Sequence, residues 1–251
     1  MATAMDHPQG KDFTDLATLQ LAYDRLLHQA QHQAAFLGTA SHELRSPINQ
    51  IISLHQLILE DLCEDPAEER EFIAQANQTI QTVLKNLDLL ITLSKLDIGT
   101  LQPQPQPILL APLLTRVQRL VQMQCVNRHC RFSLGPVEPS LSVQTDTAWL
   151  EQVLVMLIEA ALAQGSPQIS LTVADDAAAS DVVIHLGANP GEAPDSAVAA
   201  LSPEFRYQLA TRLLLHVGAT LERLGTAASP NSHLGLRLPR PASQELLPRN
   251  R

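Results

Sequence analysis

The stretch LGTASHELRSPINQIISLHQLILEDL, residues 37–62, carries the pattern that decides the fold. Leu37, Ala40, Leu44, Ile48, Ile51, His55, Ile58 and Leu62 recur at spacings of three and four. At ~100° per residue they fall within an arc of roughly 80°, which predicts one buried face of an amphipathic helix with His55 on it. The same spacing runs back through Leu16, Leu19, Tyr23, Leu26 and Ala30, with Gln33 interrupting. Residues 1–35 therefore read as a short coiled-coil-like lead-in. CEDPAEE, residues 63–69, supplies a turn and an acidic helix start. Phe72, Ile73, Ala76, Ile80, Val83, Leu84, Leu87, Leu90 and Ile91 then give a second helix its stripe. Two helices with one apolar face each cannot bury both alone. Pairing two such hairpins over residues 36–99 into a four-helix bundle solves the problem and predicts a homodimer.

IGTLQPQPQP, residues 98–107, holds a glycine and three alternating prolines. Such a segment cannot be helical, so residues 100–108 read as an extended, semi-rigid linker. Beyond it the pattern mixes. Helices are expected at Leu110 to Val126, Ala148 to Ala163 and Pro203 to His216. Strands are expected at RFSL, LSVQT, QISLTV, DVVIHL, ATLERL and HLGLRL. Helices on one side of a mostly antiparallel sheet make residues 109–240 an α+β sandwich, with a tail at 241–251.

Composition narrows the function. The chain is 45% hydrophobic and 17% charged, which marks a globular protein. Its formal net charge of −9 argues against a nucleic-acid partner, because phosphate backbones recruit excess Lys and Arg. No apolar run approaches the ~20 residues needed to span a bilayer, so no membrane insertion is expected. The N-terminus shows no signal or lipidation motif, and a cytoplasmic location follows. Cys125 and Cys130 bracket His129, but no second ligand pair accompanies them; they read as ordinary thiols, with no metal site.

Three segments together resemble the sensor histidine kinases of bacteria. SHELRSPIN, Ser41 to Asn49, resembles their phosphoacceptor box. LSKLDIGTLQPQPQPILLAPLLTRV, residues 93–117, is similar to their passage from bundle to nucleotide domain. LSVQTDTAWLEQVLVMLIEAAL, residues 141–162, resembles the helix that bears their magnesium-binding asparagine. The resemblance implies that His42 accepts a phosphoryl group and that Glu43 serves as general base. It also implies that Ser46 stands where a Thr or Asn often orients water toward a partner. The helix wheel agrees: His42 lies ~160° from the centre of the apolar stripe, and Ser46 and Asn49 follow it by one and two turns on the open face. Neutral imidazole is a competent nucleophile near neutral pH.

The nucleotide motifs depart from the family. Ala160 stands at the magnesium-binding asparagine, and a methyl cannot ligate a hard cation; Glu159 beside it is rotated ~100° away. In HLGANPGEAP, residues 185–194, Gly187 occupies the adenine-reading aspartate position and Asn189 a glycine position, while Pro190 and Gly191 are retained. Glu204, Phe205 and Arg206 replace the second glycine box, so no glycine there lets backbone amides approach phosphates. ATP and other cofactors are therefore not expected, and any magnesium would come with a partner receiver domain. The leading expectation is a histidine phosphotransferase exchanging phosphoryl with response-regulator aspartates. The alternatives are an active ATP-dependent autokinase and a non-catalytic scaffold that binds a response regulator or another histidine kinase.

Overall fold

The computed structural model describes residues 12–174, 180–189, 191, 201–224 and 232–241. Residues 1–11 of the expected lead-in, Pro190 and the tail beyond 241 lie outside them. The chain divides into two compact units, Met1–Arg45 and Ser46–Arg251.

The first unit is the leading part of α1, a single helix over Asp12–Leu59. Ala40 is buried there, whereas Leu19, Tyr23 and Leu37 are exposed. In the second unit α1 runs to its end, where Asp61 takes φ 54° and Leu62 N–H bonds the Leu57 carbonyl at 3.0 Å. Aspartate tolerates this left-handed conformation better than most residues do. α2 (Pro66–Asp97) starts cleanly for three reasons: Asp65 Oδ1 accepts Ala67 N–H at 2.7 Å and Glu68 N–H at 2.8 Å, Pro66 opens the helix, and Glu68 and Glu69 sit in its first turn.

In the single chain the stripe that periodicity selects is covered only in part: Ala40 and Ala76 are buried and Leu44, Ile51, Ile58, Phe72, Val83 and Leu90 half-buried. Pro47 and Leu54 are buried, while Ile48, His55 and Leu62 are exposed. On α2 the buried positions are Ala76, Thr79, Asn86, Leu93 and Leu96, and Ile73, Ile80, Leu84, Leu87 and Ile91 are exposed. Apolar residues occupy more of each helix than one chain covers. Period alone cannot tell which flank the chain itself buries. His55 is thus a surface residue of the single chain.

The rest is an α/β region. β1 (Gln106–Leu109) pairs antiparallel with β3 (Ser142–Thr145) as a two-stranded sheet. The linker prolines hid this strand. Pro107 sits within it, which an edge strand tolerates because only one side of it donates to a ladder. The segment just before is also held: Gln104 N–H donates to Asp146 Oδ2 at 2.9 Å and Gln144 Nε2 to the Pro105 carbonyl at 3.1 Å. The linker is extended, as its prolines require, but from Gln104 onward it is docked.

β2 (Arg131–Leu134), β4 (Gln168–Ala174), β5 (Asp181–Ala188), β6 (Thr220–Leu224) and β7 (Ser232–Pro239) form a sheet in the order β2-β4-β5-β7-β6. β2 and β4 are parallel and the other pairs antiparallel. Val182, Ile184 and Leu186 are buried and alternate with partly exposed Val183 and His185, so one face of the sheet is covered. Over that face lie α3 (Leu110–Asn127), α4 (Thr147–Ala163) and α5 (Pro203–His216). α4 contributes Leu150, Val153, Leu154, Leu157 and Ile158 to the core, and α5 contributes Phe205, Leu209, Leu213 and Leu214. Asp146 caps α4 through Ala148 N–H at 3.0 Å with the same carboxyl that holds Gln104. α5 is tied to the end of α2, where Asp97 accepts from Arg212 Nη2 at 2.9 Å and meets His216 Nε2 at 2.9 Å.

Cys125 and Cys130 are buried, and Cys63 is half-buried in the turn between α1 and α2. Burial, then the neighbouring Cys125 sulfur, pushes the Cys130 thiol up to about 11. At pH 8 it stays protonated and unreactive. A thiol-specific reagent should therefore modify Cys63 in the native protein and reach the other two only on unfolding. Two or three fast-reacting thiols, or a fast phase surviving Cys63→Ser, would contradict this placement.

Candidate functional site

α1 passes through the phosphoacceptor-like box without a break, Pro47 included. Position 47 has no N–H, so the Glu43 carbonyl receives no amide from it. His42 is exposed and Glu43 half-buried, in the first unit. Ser46 and Asn49 are exposed, in the second. Ser41 Oγ turns back on its own helix and donates to the Leu37 carbonyl at 2.8 Å, which keeps this hydroxyl off the imidazole beside it.

The positions matched to a nucleotide site lie elsewhere in the second unit. Ala160 is buried on α4 at 8% exposure and offers no polar side-chain atom. Gly187 is buried, with the side parity of Val183 and His185 on β5. A Cβ built on it would meet Ser170 Oγ at 2.8 Å and the His233 ring at 3.3 Å, whereas Leu186 shares the helix-facing parity with Val182 and Ile184. Neither Gly187 nor Leu186 could read an amine by its side chain. The loop after β5 lies against the end of α4. Gly191 N–H donates to the Gln164 carbonyl at 3.3 Å, and a Cβ on Gly191 would come within 2.0 Å of the Gly165 oxygen. Asn189 N–H reaches the Gln168 carbonyl at 3.4 Å. Gly191 thus lies against the end of the helix that carries Ala160, one turn on from it. Among the described residues, no group of three or more His, Cys, Asp or Glu gathers to hold a metal ion.

An ion pair stands near these positions. Glu159, next to Ala160, accepts from Arg206 Nη1 at 3.3 Å and from Gln124 Nε2 at 3.1 Å, and Lys85 Nζ lies 3.8 Å away. Arg206 is buried in the first turn of α5, and its Nε donates to the Leu201 carbonyl at 3.1 Å. A neighbour of Ala160 on α4 thus bonds Arg206 on α5. The sequence displays both but gives no sign that they meet across 47 positions. The Asp97–Arg212–His216 contact and the Asp146 clasp were equally hidden, being long-range pairings of common residue types.

Removing Arg206 leaves the half-buried Glu159 carboxylate to Gln124 and the exposed Lys85. Arg206→Ala should cost roughly 2–3 kcal/mol of stability, more than an exposed ion pair is worth. A double-mutant cycle with Glu159→Gln should return a coupling above ~1 kcal/mol by denaturant unfolding. Additive effects would mean that the contact is incidental.

Residues 32–99 match the His Kinase A (phospho-acceptor) domain. The chain is 29% identical over 154 residues to the aerobic respiration control sensor protein ArcB of Escherichia coli, covering 61% of this chain and 19% of ArcB. It is 26% identical over 159 residues to the autoinducer 2 sensor kinase/phosphatase LuxQ of Vibrio harveyi, covering 61% of this chain and 18% of LuxQ. It therefore spans about a fifth of the length of these curated relatives. In fold it is similar to the Acinetobacter baumannii histidine kinase AdeS, with TM-score 0.61 and 14% identity over 79% of this chain and 97% of AdeS. It is also similar to the histidine kinase ThkA crystallised in complex with the response regulator protein TrrA, with TM-score 0.57 and 16% identity over 93% of this chain and 68% of ThkA. Over its two long helices the chain thus matches a phospho-acceptor domain, over 61% of its length it is similar in sequence to these sensor proteins, and its α/β region is similar to histidine kinases in fold. No helix among the described residues is long and apolar enough to cross a membrane.

Proposed function

We propose that this two-component protein of the histidine kinase family carries a phosphoryl group on His42 and exchanges it with response-regulator aspartates, as a histidine phosphotransferase. The observation that carries the reading is an exposed imidazole within an intact acceptor box, in a chain whose ATP-site positions hold a methyl group, glycine and an ion pair. The lone pair of one ring nitrogen forms the P–N bond as the aspartyl P–O bond breaks. The aspartate leaves as a carboxylate. Positive charge that builds on the ring is relieved as Glu43 takes the proton of the other nitrogen. Ser46 and Asn49, one and two turns on, line the approach of the incoming receiver.

Magnesium-ATP does not fit the residues present. A hard cation needs oxygen ligands, and Ala160 supplies none. Glu159, the nearest carboxylate in sequence, is already engaged by Arg206 and Gln124. The metal required for transfer would then arrive with the receiver domain. A receiver partner is consistent with the ThkA–TrrA complex, although that likeness is one of fold.

The acceptor helices act as a pair of hairpins. Ile48, Ile52, Ile80, Leu84, Leu87 and Ile91 are exposed in the single chain, and a second copy covers them in a four-helix bundle. Sedimentation should give a dimer, and the double change Leu84→Asp and Leu87→Asp should give monomers with the α/β region still folded. A monomeric wild-type protein would refute the bundle.

Incubation with a phosphorylated receiver domain should place acid-labile label on the protein, and His42→Gln should abolish it. Label that persists in His42→Gln, or none on wild type, ends this reading. Titration with magnesium-ATP should show no saturable binding up to about 1 mM, where about −4 kcal/mol would register. Label on His42 from ATP alone would instead make the chain an autokinase.

A further inference from the structure

A cleft of about 670 Å³ lies between α2 on one side and α3, α4 and α5 on the other. That volume suits a small organic molecule. Its charge runs against that of the protein. The chain has 26 acidic and 17 basic residues, yet Lys85, Arg116, Arg128 and Arg206 line the cleft against Glu151 and Glu159 alone.

Both carboxylates are occupied. Glu151 takes Arg116 Nε at 2.8 Å, and Glu159 takes Arg206 at 3.3 Å with Lys85 at 3.8 Å. Arg128 has no carboxylate within ion-pair distance among the described residues; its Nη1 donates to the neutral Leu162 carbonyl at 3.2 Å. Asn86, also in the lining, is 9% exposed, and its Nδ2 has no hydrogen-bond partner among the described residues. A buried donor left unpaired is a standing cost to the fold. Lys85 and Arg128 both approach the last turns of α4, at Glu159 and Leu162. Asn86 adjoins Lys85, which reaches Glu159, and Arg128 lies one turn beyond Gln124, which bonds the same carboxylate. Leu89, Leu120 and Val155 give the cleft an apolar part.

We propose that this cleft is a binding site for a small organic anion, a carboxylate, phosphate or sulfonate carried on an apolar body. The anionic group sits by Arg128, Lys85 and Asn86, and the body lies along Leu89, Leu120 and Val155. Such a ligand touches α2 and the α/β region at once, so its binding braces one against the other. The proposal does not depend on the phosphoryl chemistry of His42, and its readout is separate from labelling of that residue.

The probe is anilinonaphthalenesulfonate with the full-length protein, followed by fluorescence. One saturable site per chain is expected. Arg128→Glu and Lys85→Glu should each weaken it at least about tenfold, the loss of one charge-assisted contact. Arg237→Glu, which changes a cation paired with Glu222 on the sheet, should leave it unchanged. Lys85 is 76% exposed, so its reversal tests the cleft even if Arg128→Glu fails to fold. N-phenylnaphthylamine, the same body without sulfonate, should bind more weakly. Unsaturable binding, equal affinity in a folded Lys85→Glu protein, or equal binding of the neutral probe would each overturn the assignment.

Discussion

The carboxylate of Glu159 stands where four helices meet. It accepts from Arg206 on α5 and Gln124 on α3, and Lys85 approaches it from α2. Its own helix, α4, is apolar on most of its circumference and forms the centre of the α/β core. A charge at the rim of such a helix is tolerable only when donors surround it, since a buried carboxylate without partners is costly. The partners come from three other elements, so the charge sets where those elements lie. Asp97 repeats the device a few turns further along α2, where Arg212 and His216 of α5 close on it.

Those long-range pairs mark the limit of what the chain discloses by itself. Local chemistry is legible wherever it is self-contained. The helix expected from Pro203 to His216 is α5, and Ser202 Oγ accepts Phe205 N–H at 3.2 Å at its start. RFSL is β2 from end to end because its alternation and flanking turns leave no other choice. β1 is not legible, since prolines mask a strand whose partner is the distant Ser142–Thr145. The acceptor box is readable as a motif. The state of the nucleotide positions is only partly so: a methyl at Ala160 can be seen in the sequence, but the side of β5 on which Gly187 falls cannot.

The helical hairpin shows a different kind of blindness. A hydrophobic stripe records that a face must be covered, not what covers it. On α2 the seam turned toward the chain holds Thr79 and Asn86 among its buried residues, while Leu84, Leu87 and Ile91 stay open. Polar residues inside and apolar ones outside invert the usual expectation for a single chain. The inversion makes sense if the outer face is the larger interface and the inner seam borders a polar cleft. Thr79 satisfies its hydroxyl through the Gln75 carbonyl at 2.9 Å, whereas the amide nitrogen of Asn86 finds no partner among the described residues.

Bracing also bears on where a phosphoryl group comes from. A domain that delivers phosphoryl from its own nucleotide must travel to the acceptor, and each contact holding it elsewhere adds to the barrier. Here the α/β region is fastened to α2 through Asp97 at one place and Lys85 near Glu159 at another, and its linker is docked from Gln104 onward. Half-buried, charge-assisted contacts of the Asp97 type are worth about 1.5–3 kcal/mol each. Releasing the Asp97 contact alone would slow an internal delivery about tenfold or more, since every 1.4 kcal/mol is about tenfold. Under the proposed phosphotransfer an exposed imidazole has no such requirement, since its partner would diffuse to it. Fastenings that would handicap a kinase would be harmless to that reaction, and an anion seated in the cleft beside them would tighten what is already held.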